Sequence, residues 1–278
     1  MNYTLDFRVA NTGGAVVPGK VMPAPGFGTE FQLRVEPRIT FLLHGYNVNR
    51  ENGRASLHRL AAHLSASQNE AVVAVLWPGD HWTRAASYSF EGRDADDSAK
   101  ALAEYVKTYI TTSTELSFVS HSLGARVVME TIKRLGAYRI RQVALMAPAI
   151  DDSSLANPSV YFIASNAAER VAVLASRKDK ILKYAYPAGD ALQAFVFFWK
   201  DVVDLALGYH GPRKSKSYGI PSKVYVEQIP DARGSDHGHY IPGDPAQDAP
   251  GDPAIANRLS AARFADAILR GEGNPKYT

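Results

Sequence analysis

Ser122 stands in Ser120-His121-Ser122-Leu123-Gly124, a small-x-Ser-x-Gly string between the apolar run 116–119 and an amphipathic helical pattern. Where a strand turns that sharply into a helix, the central residue is strained and its hydroxyl is pushed clear of the sheet. Only small residues fit two places before and two places after it. The N–H groups and positive dipole end of the following helix would face any oxyanion formed at such a serine. A serine that merely caps a helix after a core strand gives a similar string, so other residues have to decide. A serine hydroxyl is a weak nucleophile and needs a base, and the base needs a carboxylate to hold its tautomer. Asp179 and His237 follow Ser122 in the chain order that this kind of site requires.

Each partner has a rival. Asp179 sits in a short turn after the strand-like run 170–176, whereas Asp151, with Asp152, follows the strand next to the serine. Asp179 is the preferred acid. The base is His237 or His239 within His237-Gly-His-Tyr240, and the His-x-x-Tyr arrangement favours His237. His237, His239 and Asp244 could instead share an ion, but no third His or Glu has the spacing, so no metal is expected. His121 should point away from Ser122 and serve as a packing residue. The oxyanion donors expected are the backbone N–H groups of Leu123 and of Tyr46, the latter exposed by a turn at His44-Gly45.

Such residues need a rigid frame. The alternation at 2–9 (Tyr3, Leu5, Phe7, Val9) predicts a half-buried edge strand. Further strands are predicted at 31–35, 38–43, 71–76, 116–119, 142–146, 171–175 and 223–229. Helical periodicity covers about 54–64, 95–110, the segment behind Ser122 and 256–269. Gly136 is the expected C-terminal glycine of the helix behind Ser122, and Glu130 and Arg134 form an i,i+4 pair in it. Strands of buried type separated by helices specify an α/β fold, a mostly parallel central sheet with helices on both faces. Its ligand site lies beyond the carboxyl ends of the strands. His44, Ser122, Asp151, Asp179 and His237 each stand just past a predicted strand.

The remaining features exclude more than they assign. The 278 residues carry 31 Lys and Arg against 28 Asp and Glu, a net charge of +3 that is too mild for nucleic-acid binding. Arg213, Lys214 and Lys216 read as a solvated loop. The absence of cysteine removes disulfides and thiolate sites. The first residues show no basic region followed by an apolar one, so a cytoplasmic location is expected. Segment 191–207 is interrupted by Lys200, Asp201 and Asp204 and is no membrane span. Its Phe195, Phe197, Phe198 and Trp199 suit either a cap or a core helix. Gly14 to Lys20 superficially matches a phosphate-binding loop, but Val21 stands where Ser or Thr should be. No shift in composition marks a second domain, so one domain over 1–278 is expected, with room for a small cap within 185–220.

Taken together, Phe41-Leu-Leu-His-Gly-Tyr-Asn47, Leu76-Trp-Pro78, Ser87-Tyr88, Ser120-His-Ser-Leu-Gly124, Ala147-Pro148, Ser176-Arg-Lys-Asp179 and His237-Gly-His-Tyr240 resemble the α/β-hydrolase superfamily. Within it they are similar to a bacterial, lipase-like branch of largely uncharacterised function. The resemblance implies Ser122 as nucleophile, Asp179 as acid, His237 as base, no organic cofactor, and a small-molecule or lipid ester as substrate. The expected activity is a serine esterase working through an acyl-enzyme. An acyltransferase, an amide hydrolase or a non-catalytic binding protein on the same fold are the alternatives.

Overall fold

The computed structural model describes residues 3–23, 33–65, 70–80, 88–185, 205–213, 219–244, 246, 249 and 251–278. Among them, eight strands form one sheet: β1 Tyr3–Arg8, β2 Val16–Pro23, β3 Arg38–Leu43, β4 Glu70–Leu76, β5 Glu115–His121, β6 Arg139–Met146, β7 Ala168–Ala175 and β8 Val224–Gln228. Their order is β2-β1-β4-β3-β5-β6-β7-β8. Every neighbouring pair is parallel except β1 and β2. Parallel neighbours need crossovers, and helices supply them. These are α1 Arg50–Ala62, α2 Tyr88–Tyr109, α3 Gly124–Leu135, α4 Phe162–Ala167, a short α5 Leu207–His210 and α6 Pro253–Leu269. α2 packs on α3, α1 packs on β3 and β4, and α6 packs on β6. The end of α1 is tied to α6 where the Ser65 N–H donates to Asp266 Oδ1 (2.6 Å).

The strand sequences explain their places. β3, β4, β5 and β7 bury Ile39, Phe41, Val73, Val75, Phe118, Val119, Val171 and Val173 completely. A strand covered on both faces has no reason to alternate, and these do not. α3 is amphipathic, with Val128, Ile132 and Leu135 inward and Glu130 paired to Lys133 and Arg134. Gly136 ends it at φ +52°, the left-handed conformation in which a side chain costs most.

Two sequence expectations fail here. β1 is no edge strand. β2 pairs antiparallel along its outer side, and all six residues of β1 are buried. Its polar positions are buried because each has a partner: Thr4 with His58, Asp6 with Arg50, and Arg8 with Asp80. Val16–Pro23 is therefore the edge strand on this side, where a proline's missing donor is tolerated. Gly19 and Lys20 of the discounted phosphate-loop match lie within it. The strand expected at 31–35 is also absent, since residues 33–35 form a helical turn closed by the Glu36 N–H on the Leu33 carbonyl (3.3 Å). Leu33 is buried there and Val35 is 68% exposed. Residues 31–32 lie outside the described residues, as do 191–204 of the expected cap or core helix, Ser87, Lys214 and Lys216.

Candidate active site

β5 ends at His121, α3 begins at Gly124, and Ser122 between them has φ +55°. A non-glycine residue in that region is strained, and the surroundings hold it there. The Ser122 N–H donates to the Met146 carbonyl (3.0 Å), and its own carbonyl accepts from Ala125 (3.0 Å) and Ala149 (3.1 Å). A Cβ on Gly124 would lie 2.5 Å from the carbonyl oxygen of His44, so the turn closes only with glycine at that place. A Cβ on Gly45 would lie 2.8 Å from Ser122 Cβ. The loop after β3 thus runs directly against the serine.

His237 Nε2 is 2.8 Å from Ser122 Oγ, and His237 Nδ1 is 2.7 Å from Asp179 Oδ2. Because Asp179 can only accept, the imidazole carries its proton on Nδ1 and leaves Nε2 to accept from the serine hydroxyl. Asp179 is fully buried, and its other oxygen accepts the Leu182 N–H (2.9 Å). The His237 side chain is 17% exposed, enough for a reactant to approach. Asp236 shapes the loop below it: its Oδ1 accepts the N–H of His237 (2.8 Å) and of Lys180 (3.0 Å). Burial raises the Asp236 carboxyl, but those two N–H groups and the Lys180 charge outweigh it and hold the group below its ordinary range.

The rivals are elsewhere. Asp151 forms a backbone bridge with Ala206, and the neighbouring Asp152 pairs with His210 and Arg213. Arg213, read above as solvated, is thereby an ion-pair partner of a buried carboxylate. His239 Nδ1 accepts the Asp236 N–H (3.1 Å) and so closes its own turn. Among the described residues no group of three or more His, Cys, Asp or Glu could hold a metal ion. No helix among them is long and apolar enough to cross a membrane.

Arg8 carried no signal in the sequence, and His44 and His121 do more than the sequence suggested. Arg8, buried on β1, donates to the carbonyls of Val48 (3.0 Å) and Trp77 (2.9 Å), to Asn11 (3.0 Å) and to the Asp80 carboxylate. It knits together the loops after β1, β3 and β4, and so backs the segment that holds Tyr46. His44 is buried with its ring stacked on Trp77 (5.5 Å, 7°). Its Nδ1–H donates to the Gly45 carbonyl (2.9 Å), and its Nε2 accepts the Trp77 N–H (3.3 Å). His121, expected to be a mere packing residue turned away from the serine, lies beside the ring of His237 (4.8 Å).

Burial pushes the pKa of His44 down to about 4 and that of His121 down to about 3, the latter aided by the charge of His237. In the unfolded chain both imidazoles protonate near the ordinary value of 6.5. Below that value the unfolded state binds protons that the folded state refuses, so stability is complete above it and is lost as pH falls toward about 4. One pKa unit is about 1.4 kcal/mol, so His44 alone is expected to contribute about 3 kcal/mol to this loss. The urea midpoint should therefore fall steadily from about pH 7 to about pH 4.5, and a flat midpoint over that range contradicts the assignment.

A sheet of this order, with a strained serine at a strand-to-helix turn and a histidine and buried aspartate aligned on it, defines an α/β hydrolase. More narrowly, the chain belongs to the family described as alpha/beta hydrolase of unknown function (DUF900), whose pattern matches residues 26–192. That span contains Tyr46, Ser122 and Asp179 and stops short of His237. No curated protein matches the sequence. Among solved structures it is similar to the catalytic core domain of acetyl xylan esterase from Trichoderma reesei, at 11% identity and a TM-score of 0.41, over 86% of this chain and 99% of that one. It is also similar to an esterase from Pyrobaculum calidifontis, at 14% identity and a TM-score of 0.40, over 84% and 77% of the two chains. A third is LpqC, a poly(3-hydroxybutyrate) depolymerase from Bordetella parapertussis, at 10% identity and a TM-score of 0.41, over 86% and 80%.

Proposed function

We propose that this protein is a serine hydrolase that cleaves carboxyl esters, lipid esters included. The observation that carries the reading is the unbroken line of short contacts from Ser122 Oγ through the His237 ring to Asp179. In this mechanism His237 Nε2 takes the proton of Ser122 as Oγ attacks the acyl carbonyl. Asp179 stabilises the imidazolium that results and remains ionised itself. The N–H groups of Leu123 and Tyr46 receive the oxyanion, with the α3 dipole behind the first of them. The imidazolium then gives its proton to the departing alkoxide, leaving an acyl-enzyme. Water, activated by the same histidine, releases the acid and restores the serine.

A fluorophosphonate probe tests this directly. Wild-type protein should be labelled on Ser122, and labelling should disappear in Ser122→Ala. Failure to label wild type, or equal labelling of both, sinks the reading. A p-nitrophenyl ester series from short to long chain then gives the acyl preference, and a uniformly inactive series in a labelled protein points to amides or acyl transfer instead.

A further inference from the structure

We propose that His121 is a positioning residue for this site, holding the base loop by donating a hydrogen bond from Nε2 to the carbonyl oxygen of His237 (3.0 Å). The inference rests on the hydrolase reading and adds a residue to it. With Asp236 Oδ1 accepting the His237 N–H (2.8 Å), both peptide groups flanking the His237 α-carbon are anchored. One anchor comes from the loop itself, and the other comes from the residue bonded to the nucleophile. Backbone rotation at His237 would break one of the two bonds, so the imidazole is aimed before substrate arrives.

The environment of the ring fits this task. Its face lies against His237 (4.8 Å, 42°) and against the buried ring of Tyr240 (5.7 Å, 31°). Its Nδ1 edge meets Gly45, where a Cβ would come within 3.1 Å. His121 therefore wedges between the loop after β3 and the base loop, keeping a fixed distance between the oxyanion side and the proton-transfer side. Its Nε2 proton is committed to a carbonyl, so Nε2 is not free to act as a second base. A purely space-filling role would leave the His237 carbonyl without this donor. Burial also keeps the ring neutral, which spares His237 a positive neighbour at the moment it becomes an imidazolium.

The test is a set of three substitutions measured by steady-state hydrolysis of p-nitrophenyl acetate and by the rate of fluorophosphonate labelling. The amide nitrogen of His121→Gln can reach the place of Nε2, that of His121→Asn stops near the place of Nδ1, and His121→Phe keeps the ring without a donor. Misplacing a general base costs rate far more than binding, so His121→Phe and His121→Asn should lose about tenfold or more in kcat with KM within about twofold, and His121→Gln should stay within about threefold of wild type. Wild-type kcat in His121→Phe overturns the proposal, as does a His121→Gln no better than His121→Asn. If His121→Phe fails to fold, the contrast between Gln and Asn decides alone. Loss of labelling already in wild-type protein is a different result, and it overturns the hydrolase reading itself.

Discussion

Ser122→Ala is expected to lower kcat on p-nitrophenyl acetate by about 10⁶-fold and to leave KM within about threefold. The size follows from the way the site works. In the proposed mechanism Ser122 and His237, 2.8 Å apart, act as one unit, so removing the hydroxyl would remove the base's function along with the nucleophile. About 8 kcal/mol of barrier lowering disappears at once. What survives is binding and the oxyanion donors, which retain about 10³–10⁴ over the reaction in water. The fold should be spared. Alanine is smaller than serine, its φ strain at +55° is comparable, and the backbone bonds to Met146, Ala125 and Ala149 remain. Far-UV circular dichroism and the urea midpoint should match wild type. A kcat within tenfold of wild type would remove Ser122 from the mechanism.

Asp179→Asn is expected to cost about 10⁴ in kcat, while Asp151→Asn stays near wild type. Asp179 Oδ1 is already engaged by the Leu182 N–H (2.9 Å), so an asparagine keeps its carbonyl there and turns its NH₂ toward His237. A donor then faces Nδ1, which was itself the donor. The imidazole responds by moving its proton to Nε2, and a protonated Nε2 cannot accept from Ser122. Geometry survives and the tautomer is wrong. His237 meets Asp179 and Ser122, whereas Asp151 forms a backbone bridge with Ala206. The two single variants assayed side by side decide the acid: inactivation by Asp151→Asn with an active Asp179→Asn would reverse the assignment.

The legibility of this site in the sequence has a physical basis. Ser122, Asp151 and Asp179 each follow an apolar run long enough for one buried strand, and parallel strands deliver the residues just past their ends to one rim of the sheet. Small residues around Ser122 are required locally by the turn, so they show in the string itself. β2 was not legible because its residues 16–23 hold two prolines and a glycine, and only pairing with β1 makes them a strand. Arg8 was not legible because its partner Asp80 is 72 residues away.

His121 marks the boundary between the two kinds of information. Strand alternation sends residues 121 and 122 to opposite sides, which is why the sequence suggests that His121 turns away from the site. The positive φ at Ser122 breaks the alternation, and the loop 236–240 folds back over the strand end to meet the ring. Periodicity, turn chemistry and motif order are local, because they follow from strand and helix geometry over a few residues. By themselves they determined the α/β class, the chain order of the elements and the short roster of residues able to do chemistry. Choice among equals was tertiary: which aspartate and which histidine approach Ser122, and what holds them there, depend on contacts between segments up to 116 residues apart. Such distances follow from how packed layers close on one another, and nothing in a local pattern contains them.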